Sequence, residues 1–186
     1  MKFIFLDRDG VINKDPAWAG KDYVTSWEDF EFLPGTLEAL KNLTDNGYKI
    51  VVISNQAGVG KGLYTKEGLY EISGKMLDKI ESAGGKIYSI QYCMHKNEDN
   101  CDCRKPKTGM FKNATKDIEV DFSKTYFIGD SRRDIEAGDT IGCKTILVLS
   151  GKIKDGKEVA SWPIKPDFIK KDLREAVKVI IGGADV

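Results

Sequence analysis

The sequence lacks an excess of charge of either sign, and it lacks a long apolar run. Its 29 Lys and Arg residues balance 29 Asp and Glu residues, which argues against non-specific binding to nucleic acids or membranes. Apolar runs such as Ile50–Ile53 are far too short to cross a bilayer, and Asp7 interrupts the N-terminus before the core of a signal peptide could develop. We therefore expect a cytoplasmic protein that binds neither nucleic acid nor membrane, and we expect a monomer.

Cysteine and histidine are also scarce, and the few that occur are clustered. The pattern C-x-H-x5-C-x-C joins the only histidine to three of the four cysteines, namely Cys93, His95, Cys101 and Cys103. In a reducing compartment such a cluster more often binds metal than forms disulfides. Three thiolates and one imidazole suit tetrahedral Zn²⁺, and four protein ligands leave no open position for catalysis. We predict a structural zinc in the 93–103 loop; the alternative is a chance cluster of reduced thiols. Cys143 stands apart and is expected in the core.

Short apolar segments alternate with helical patterns along the 186 residues. Segments that are apolar on both faces suit a covered parallel sheet, and they are Phe3–Leu6, Ile50–Ile53, Ile87–Tyr92, Tyr126–Ile128 and Thr145–Leu149. Helical spacing predicts helices at about 36–46, 66–83, 109–118, 132–140 and 173–181. This alternation predicts one α/β domain, residues 1–186, with a doubly wound (Rossmann-like) parallel sheet. Residues 151–166 suggest no particular chemistry.

Three acids follow predicted strands directly. Asp7 and Asp9 come after the first strand, and Asp130 comes after the fourth. Ligands of open parallel sheets bind beyond the carboxyl ends of the strands, so these carboxylates are expected to meet. Oxygen ligands of this kind suit Mg²⁺. The alternative is that Asp-Gly and Gly-Asp simply form turns, but this explains three acids at strand ends less well than a metal site does.

Two further features belong to the same edge. Ser54 and Asn55 end the second strand and offer a hydroxyl and an amide to a phosphate. Asp134 lies three residues after Ser131, a spacing that is typical of a capping box. Asp134 is therefore expected either to cap a helix or to support the metal site, and the sequence favours neither role.

Four segments in order resemble the motifs of the haloacid dehalogenase (HAD) phosphatases. These segments are Asp7–Asn13, Ser54–Gln56, Arg104–Pro106 and Gly129–Asp134. The resemblance implies that Asp7 is the nucleophile of an aspartyl-phosphate mechanism and that Asp9 is the general acid and base. It implies that Mg²⁺ binds Asp7, the Asp9 carbonyl and Asp130, and that Lys105 balances the charge of the phosphoryl group. No large insertion follows Asn13 or Gln56, which implies a HAD fold without a large cap domain.

The thiol cluster runs directly into Arg104, and this arrangement is similar to one branch of the HAD phosphatases. Members of that branch act on a heptose bisphosphate or on histidinol phosphate. The resemblance favours a heptose bisphosphate, a small phosphorylated sugar, over histidinol phosphate. Thr108 departs from the usual proline of the heptose enzymes, and the short spacer between His95 and Cys101 resembles histidinol phosphatases. The residues implied in substrate binding are Asp15, Pro16, Ala17, Trp18, Ser54, Asn55, Gln56, Ala57, Arg104 and Lys105.

Three other interpretations are weaker. The segment Gly58–Gly62 fits neither of the common glycine-rich nucleotide-binding patterns. A zinc-knuckle module that binds nucleic acid without catalysis conflicts with the balanced charge and with the lack of an aromatic and basic stretch. A catalytically silent scaffold conflicts with the presence of both Asp7 and Asp9.

Overall fold

The structure, a computed structural model, describes residues 2–182 and contains a six-stranded sheet. Its strands are β1 (Lys2–Leu6), β2 (Tyr48–Asn55), β3 (Ile87–Cys93), β4 (Tyr126–Gly129), β5 (Lys144–Val148) and β6 (Phe168–Lys170). The spatial order is β3-β2-β1-β4-β5-β6, and each neighbouring pair is parallel. This order, with β1 in the interior and crossovers on either side, confirms the predicted doubly wound α/β fold.

Helices connect the strands and cover both faces of the sheet. They are α1 (Thr36–Asp45), α2 (Ala57–Gly60), α3 (Lys66–Ser82), α4 (Gly109–Thr115), α5 (Arg132–Ile141) and α6 (Leu173–Gly182). Local signals fix their ends. The Thr65 hydroxyl accepts a hydrogen bond from Gly68 N–H at the start of α3, and Gly142 ends α5 in the left-handed conformation, with φ of +89°.

Alternate residues of β1 enter different halves of the core. Ile4 and Leu6 pack with apolar side chains of α1, α3 and α6, whereas Phe3 and Phe5 pack on the other face with Phe111 of α4. This alternation follows from the two-residue repeat of a strand. Full burial of each such side chain contributes roughly 1.5–3 kcal/mol. A strand that is buried on both faces holds the residues at its carboxyl end in a fixed position.

The structure adds a strand and a short α-helix that the sequence did not predict. β6 extends the sheet beside β5, with Phe168 opposite Ile146, and α2 is a single turn directly after β2. The segments 13–33 and 96–107, which show no helical or strand periodicity, contain short 3-10 turns at Pro16–Ala19, Trp27–Asp29 and Asn97–Asp99. Within residues 2–182, neither segment forms a cap-sized domain. No helix in this described part of the chain is both long enough and apolar enough to cross a bilayer.

Candidate active site

The loop after β1 carries the first two acids of the site. The Asp7 N–H donates to the Ile128 carbonyl at 2.9 Å, which ties the loop to β4. The Asp7 carboxylate accepts from Arg8 N–H at 2.7 Å and lies 2.8 Å from Lys105 Nζ. Gly10 then turns the chain with φ of +83°, a conformation that glycine adopts without strain. The strand end and this turn therefore hold Asp7 against a buried ammonium.

Three carboxylates meet at this point. Asp7 and Asp130 were predicted to meet from the strand ends, and Asp134 is the third; the Asp9 carboxylate, which was also predicted here, is not part of the cluster. Oxygen atoms of Asp7, Asp130 and Asp134 lie within 4.8 Å of one another, and all three residues are buried. Burial raises the pKa of Asp130 well above its ordinary value, and repulsion by Asp134 and Asp7 raises it further. Burial also raises the pKa of Asp7, although Lys105 opposes this. The cluster thus carries excess negative charge, and its ligand atoms are hard carboxylate oxygens. This donor set fits Mg²⁺.

Asp130 is clasped between two glycines that are far apart in the chain. A Cβ atom added to Gly10 or to Gly151 would lie 2.2 Å or 2.0 Å from Asp130 Oδ2, so neither position has room for a side chain. Lys152 N–H donates to the same oxygen at 2.8 Å. The Ser150 hydroxyl donates to the Gly10 carbonyl at 2.7 Å. The loop after β5 therefore closes one side of the carboxylate cluster.

Lys105 is the buried cation of the cluster. Its Nζ lies 2.8 Å from Asp7 and 2.6 Å from Asp134, and it donates to the Ile53 carbonyl at 2.9 Å. Burial alone would lower the pKa of Lys105, but Asp134 and Asp7 outweigh it, so the pKa is raised. The Asn55 amide grips the Lys105 backbone, since its oxygen accepts from Lys105 N–H at 3.0 Å and its nitrogen donates to Lys105 O at 3.2 Å. Lys105 is therefore fixed as an ammonium.

Asp134 caps α5, which is one of the two roles that the sequence left open, and it also pairs with Lys105. One carboxylate oxygen accepts from the Ser131 N–H at 3.1 Å and from the Ser131 hydroxyl at 2.5 Å, which completes the capping box of α5. The other oxygen faces Lys105. Burial would raise the pKa of Asp134, but Lys105 and Ser131 lower it, so this carboxyl is ionised and supports the charge balance of the cluster.

Asp9 is held by three donors on the other side of the loop. Arg8 Nη2 lies 2.9 Å from Asp9 Oδ1, Asn13 Nδ2 donates to the same oxygen at 2.9 Å, and Gln56 Nε2 donates to Oδ2 at 2.8 Å. The Arg8 side chain is fully buried. Burial favours the protonated form of Asp9, but Arg8, Asn13 and Gln56 outweigh it and lower its pKa. Asp9 is thus an ionised carboxylate with a fixed orientation.

A cavity of about 200 Å³ opens over these groups. It brings together most of the residues that the sequence singled out, and these are Asp7, Asp9, Asp15, Pro16, Ser54, Asn55, Ala57, Arg104 and Lys105. Asp130 contributes to the carboxylate cluster rather than to the cavity wall. Ala17 and Trp18 lie outside the lining, and so does Gln56, which is fully buried. This position favours a role for Gln56 within the protein over direct contact with substrate.

Several lining residues were not identified from the sequence. They are Asp22, Tyr23, Ser131, Arg133 and Lys152. Lys152 lies shortly after β5, so the rule that ligands bind beyond strand ends would have found it. Asp22 and Tyr23 fall in the aperiodic 13–33 segment, where no pattern distinguishes a cavity residue from an exposed one.

A second cavity, of about 220 Å³, adjoins the first, and every charged residue that lines it is basic. These cations are Lys96, Arg104, Lys105, Lys107 and Arg133. Arg104, Lys105 and Arg133 line both cavities. Arg104 Nε donates to Asn97 Oδ1 at 2.6 Å, and its buried Nη1 has no hydrogen-bond partner among residues 2–182. The second cavity can therefore accept an anionic group at a distance from Asp7.

The thiol cluster closes the loop that carries Arg104. The three sulfur atoms of Cys93, Cys101 and Cys103 are 3.2–3.6 Å apart, and His95 Nδ1 lies 3.2 Å from Cys103 Sγ. These separations are too long for disulfides, and they approach the edge of about 3.8 Å that a ZnS₄ tetrahedron implies. Burial and the neighbouring thiols raise the pKa of Cys103. The four side chains fit a zinc ion that would hold the thiols as thiolates.

Comparisons with known proteins agree with this geometry. Residues 102–176 match the HAD-hydrolase-like family model. The chain is 42% identical to the D-glycero-beta-D-manno-heptose-1,7-bisphosphate 7-phosphatase of Neisseria meningitidis, over 83% of this chain and 80% of that protein. It is 40% identical to the Haemophilus ducreyi enzyme of the same name, over 81% and 85%.

A solved structure is similar over nearly the whole chain. The D,D-heptose 1,7-bisphosphate phosphatase of B. bronchiseptica, complexed with magnesium and phosphate, superposes with a TM-score of 0.89 at 33% identity. The match covers 98% of this chain and 99% of that one. The chain is thus a phosphoric monoester hydrolase, and it belongs to the heptose 1,7-bisphosphate phosphatase family of the HAD-like hydrolases.

Proposed function

We propose that the protein hydrolyses the 7-phosphate of D-glycero-beta-D-manno-heptose 1,7-bisphosphate through an aspartyl-phosphate on Asp7. The observation that carries this proposal is the arrangement of cations. Lys105 lies at the nucleophile, while Arg104 and Arg133 line both the cavity over Asp7 and the adjoining basic cavity. A bisphosphate can place one phosphoryl group at Asp7 and the other in the basic cavity. The family names of the relatives support the same substrate.

In the first step an Asp7 carboxylate oxygen attacks phosphorus, and the bond between phosphorus and the sugar oxygen breaks. Asp9, having taken up a proton, gives it to that leaving oxygen. Lys105 balances the charge of the phosphoryl oxygens, and Ser54 and Asn55 lie beside it in the cavity, where they can donate to these oxygens. The products of this step are the free sugar phosphate and the phosphorylated Asp7.

In the second step a water molecule attacks the phosphorus of the aspartyl-phosphate and gives a proton to Asp9. The bond between phosphorus and the Asp7 oxygen breaks, which releases inorganic phosphate and restores the carboxylate. Because Asp9 lost a proton in the first step, it is ready to accept one in the second. The lowered pKa of Asp9 agrees with an ionised resting form.

We assign Mg²⁺ to Asp7, Asp130 and the Asp9 carbonyl. When bound, this ion supplies positive charge to the phosphoryl oxygens. Asp134 supports the site from one side through Lys105, and the loop after β5 encloses Asp130 from the other side.

Substrate recognition follows from the cavity wall. Arg104 and Arg133 bind the distant phosphate, and Arg104 has a buried guanidinium nitrogen without a partner in the described residues. Asp15 Oδ2 is buried without a partner in the part of the chain that the structure describes, and it accepts a hydrogen bond from a sugar hydroxyl. Histidinol phosphate, the alternative substrate, would bring an ammonium group towards these arginines and is therefore disfavoured.

We also assign a structural zinc to Cys93, His95, Cys101 and Cys103. The zinc orders the loop that presents Arg104 and Lys105, because Cys103 directly precedes this pair. The four free cysteines agree with a reducing, cytoplasmic location.

The test compares kcat/KM for the heptose bisphosphate, for a sugar monophosphate and for histidinol phosphate, with Mg²⁺ present. Wild-type protein should prefer the bisphosphate. Arg104→Ala or Arg133→Ala should lower kcat/KM for the bisphosphate by about 10- to 150-fold, the range of a charge-assisted contact, and should affect the monophosphate much less. Arg132→Ala is the matched control, since Arg132 pairs with Glu136 on the surface. Faster wild-type turnover of histidinol phosphate would overturn the assignment.

A further inference from the structure

Gln56 lies at the centre of a closed hydrogen-bond network below the cavity. Its Nε2 donates to Asp9 Oδ2 at 2.8 Å and to Ser54 Oγ at 3.1 Å. Its Oε1 accepts from the Tyr64 hydroxyl at 2.6 Å and from Arg8 Nη2 at 3.3 Å. Both ends of the amide are therefore satisfied by protein groups.

The orientation of the Gln56 amide decides whether a donor or an acceptor faces the Asp9 carboxylate. With Oε1 towards Tyr64, a donor faces the Asp9 carboxylate; with the amide reversed, an oxygen would face it and repel it. Arg8 favours the observed orientation only weakly, because its contact with Oε1 is long and it already pairs with Asp9. Asp9, which as a carboxylate only accepts hydrogen bonds, selects this orientation. The short bond from the Tyr64 hydroxyl anchors the amide in its place beside Asp9.

The glycine-rich segment after β2 makes room for this tyrosine. A Cβ atom added to Gly58 would lie 2.3 Å from Tyr64 Cε1 and 3.0 Å from the Tyr23 ring. Tyr64 is 9% exposed, and it does not line the cavity over Asp7. Gly58 thus admits a buried hydroxyl to the interior face of the active-site wall, which gives the glycine-rich segment a purpose other than nucleotide binding.

We propose that Tyr64 and Gln56 are positioning residues, and that they orient the Asp9 carboxyl for proton transfer to the leaving oxygen of the substrate. This inference rests on the general acid role of Asp9 under the proposed function. Neither residue lines the cavity, so both act through Asp9 and not by binding substrate.

The role of Asp9 in the first step predicts a selective loss of activity on sugar phosphates, which a general loss of active-site structure would not produce. A sugar oxygen is a poor leaving group and needs a proton from Asp9. A p-nitrophenolate leaves without one. A variant that misdirects Asp9 should therefore lose kcat/KM for the sugar phosphate but keep it for p-nitrophenyl phosphate, because kcat/KM reports the steps up to release of the leaving group.

The experiment measures kcat/KM of Tyr64→Phe on heptose bisphosphate and on p-nitrophenyl phosphate. We expect a loss of about 10-fold on the sugar, part of the 10²–10⁴-fold that a general acid contributes, and less than about 2-fold on the aryl ester. Gln56→Glu keeps an acceptor for Tyr64 but puts an oxygen against Asp9, and it should show the same selectivity with a larger loss. Tyr92→Phe is the matched control, since the Tyr92 ring also lies against Arg8 but its hydroxyl contacts Ser73.

Asp9→Asn, measured alongside, separates the two levels of the proposal. If Asp9→Asn is selective against the sugar and Tyr64→Phe loses activity equally on both substrates, or on neither, the positioning role is overturned while the proposed function stands. If Asp9→Asn itself loses activity equally on both substrates, the general acid assignment fails. Selective losses in Tyr64→Phe and in Asp9→Asn, with Tyr92→Phe unaffected, support both levels.

Discussion

The ammonium of Lys105 lies 2.6 Å from the Asp134 carboxylate, and the side chains of both residues are at most 2% exposed. Asp7 lies on the same ammonium at 2.8 Å. A buried charge that loses its partner is costly. The pair therefore links the stability of the fold to the charge on the nucleophile.

Removal of the Lys105 charge should harm both stability and activity. Lys105→Met leaves two buried carboxylates uncompensated, so we expect unfolding by urea to show a loss of about 3–5 kcal/mol. The double variant Lys105→Met with Asp134→Asn should recover part of this stability but no activity. Lys41→Met, in the exposed Lys41–Asp45 pair, should change stability little. An equal effect at Lys41 and Lys105 would contradict the importance of burial.

Asp7→Asn should abolish phosphoenzyme formation, because an amide is a far poorer nucleophile than a carboxylate. Mass spectrometry of acid-quenched enzyme after mixing with substrate should show a phosphoryl group on the wild-type peptide that contains Asp7. The same peptide from Asp7→Asn should lack it. Near-normal turnover of the variant would exclude the aspartyl-phosphate mechanism.

Gly151→Ala should weaken Mg²⁺ binding, because the added Cβ would lie 2.0 Å from Asp130 Oδ2. We expect the Mg²⁺ concentration for half-maximal activity to rise by at least about tenfold, which corresponds to about 1.4 kcal/mol. Gly74→Ala is the matched control. Gly74 lies inside α3 with nothing within 4 Å of an added Cβ, so this change should keep activity and stabilise the protein by roughly 0.5–1 kcal/mol.

Chelation of zinc should release three thiols and leave the fourth protected. Thiol titration of the native protein at pH 8 should detect few reactive cysteines before dialysis against a chelator and about three after it. Cys101→Ser should bind less zinc by elemental analysis and should turn over substrate more slowly. Protein that contains no zinc when purified without added metal would refute the site.

Cys143 should make stability depend on alkaline pH. Burial raises its pKa to about 12, whereas an unfolded thiol ionises near about 8.5. The folded state therefore holds the proton more tightly. The Cys143 thiol therefore contributes its full share to the free energy of unfolding below about pH 8.5, and this share is lost as the pH rises towards 12. The stability difference between wild type and Cys143→Ala should fall by about 2 kcal/mol between pH 7 and pH 10. A stability difference that stays constant from pH 7 to pH 10 would contradict the raised pKa of Cys143.

Much of the fold was predictable because apolar runs and helix ends are local signals. Each predicted strand and helix occurs, and no end is shifted by more than three residues. β6 was missed because Phe168–Lys170 is only three residues long and is a strand only through its pairing with β5. A segment this short has no period of its own.

The site was less predictable at the level of side-chain direction. Asp7, Asp130 and Lys105 lie close together in the structure. This was predictable, because strand ends and the order of the motifs place all three at the same edge of the sheet. Whether Gln56 points into the cavity or beneath it depends on Tyr64, eight residues later, and on the space left by Gly58. That relationship is set by packing, which the order of residues does not reveal.

The clasp on Asp130 has a consequence for protein synthesis. Gly10 leaves the ribosome early, but the clasp closes only when Ser150, Gly151 and Lys152 arrive to contact Gly10 and Asp130. A nascent chain that has already formed β1, β2 and β3 therefore still has an open carboxylate cluster. Competence to bind the metal is acquired late in translation, and chains that terminate before Ser150 should be unable to form the site.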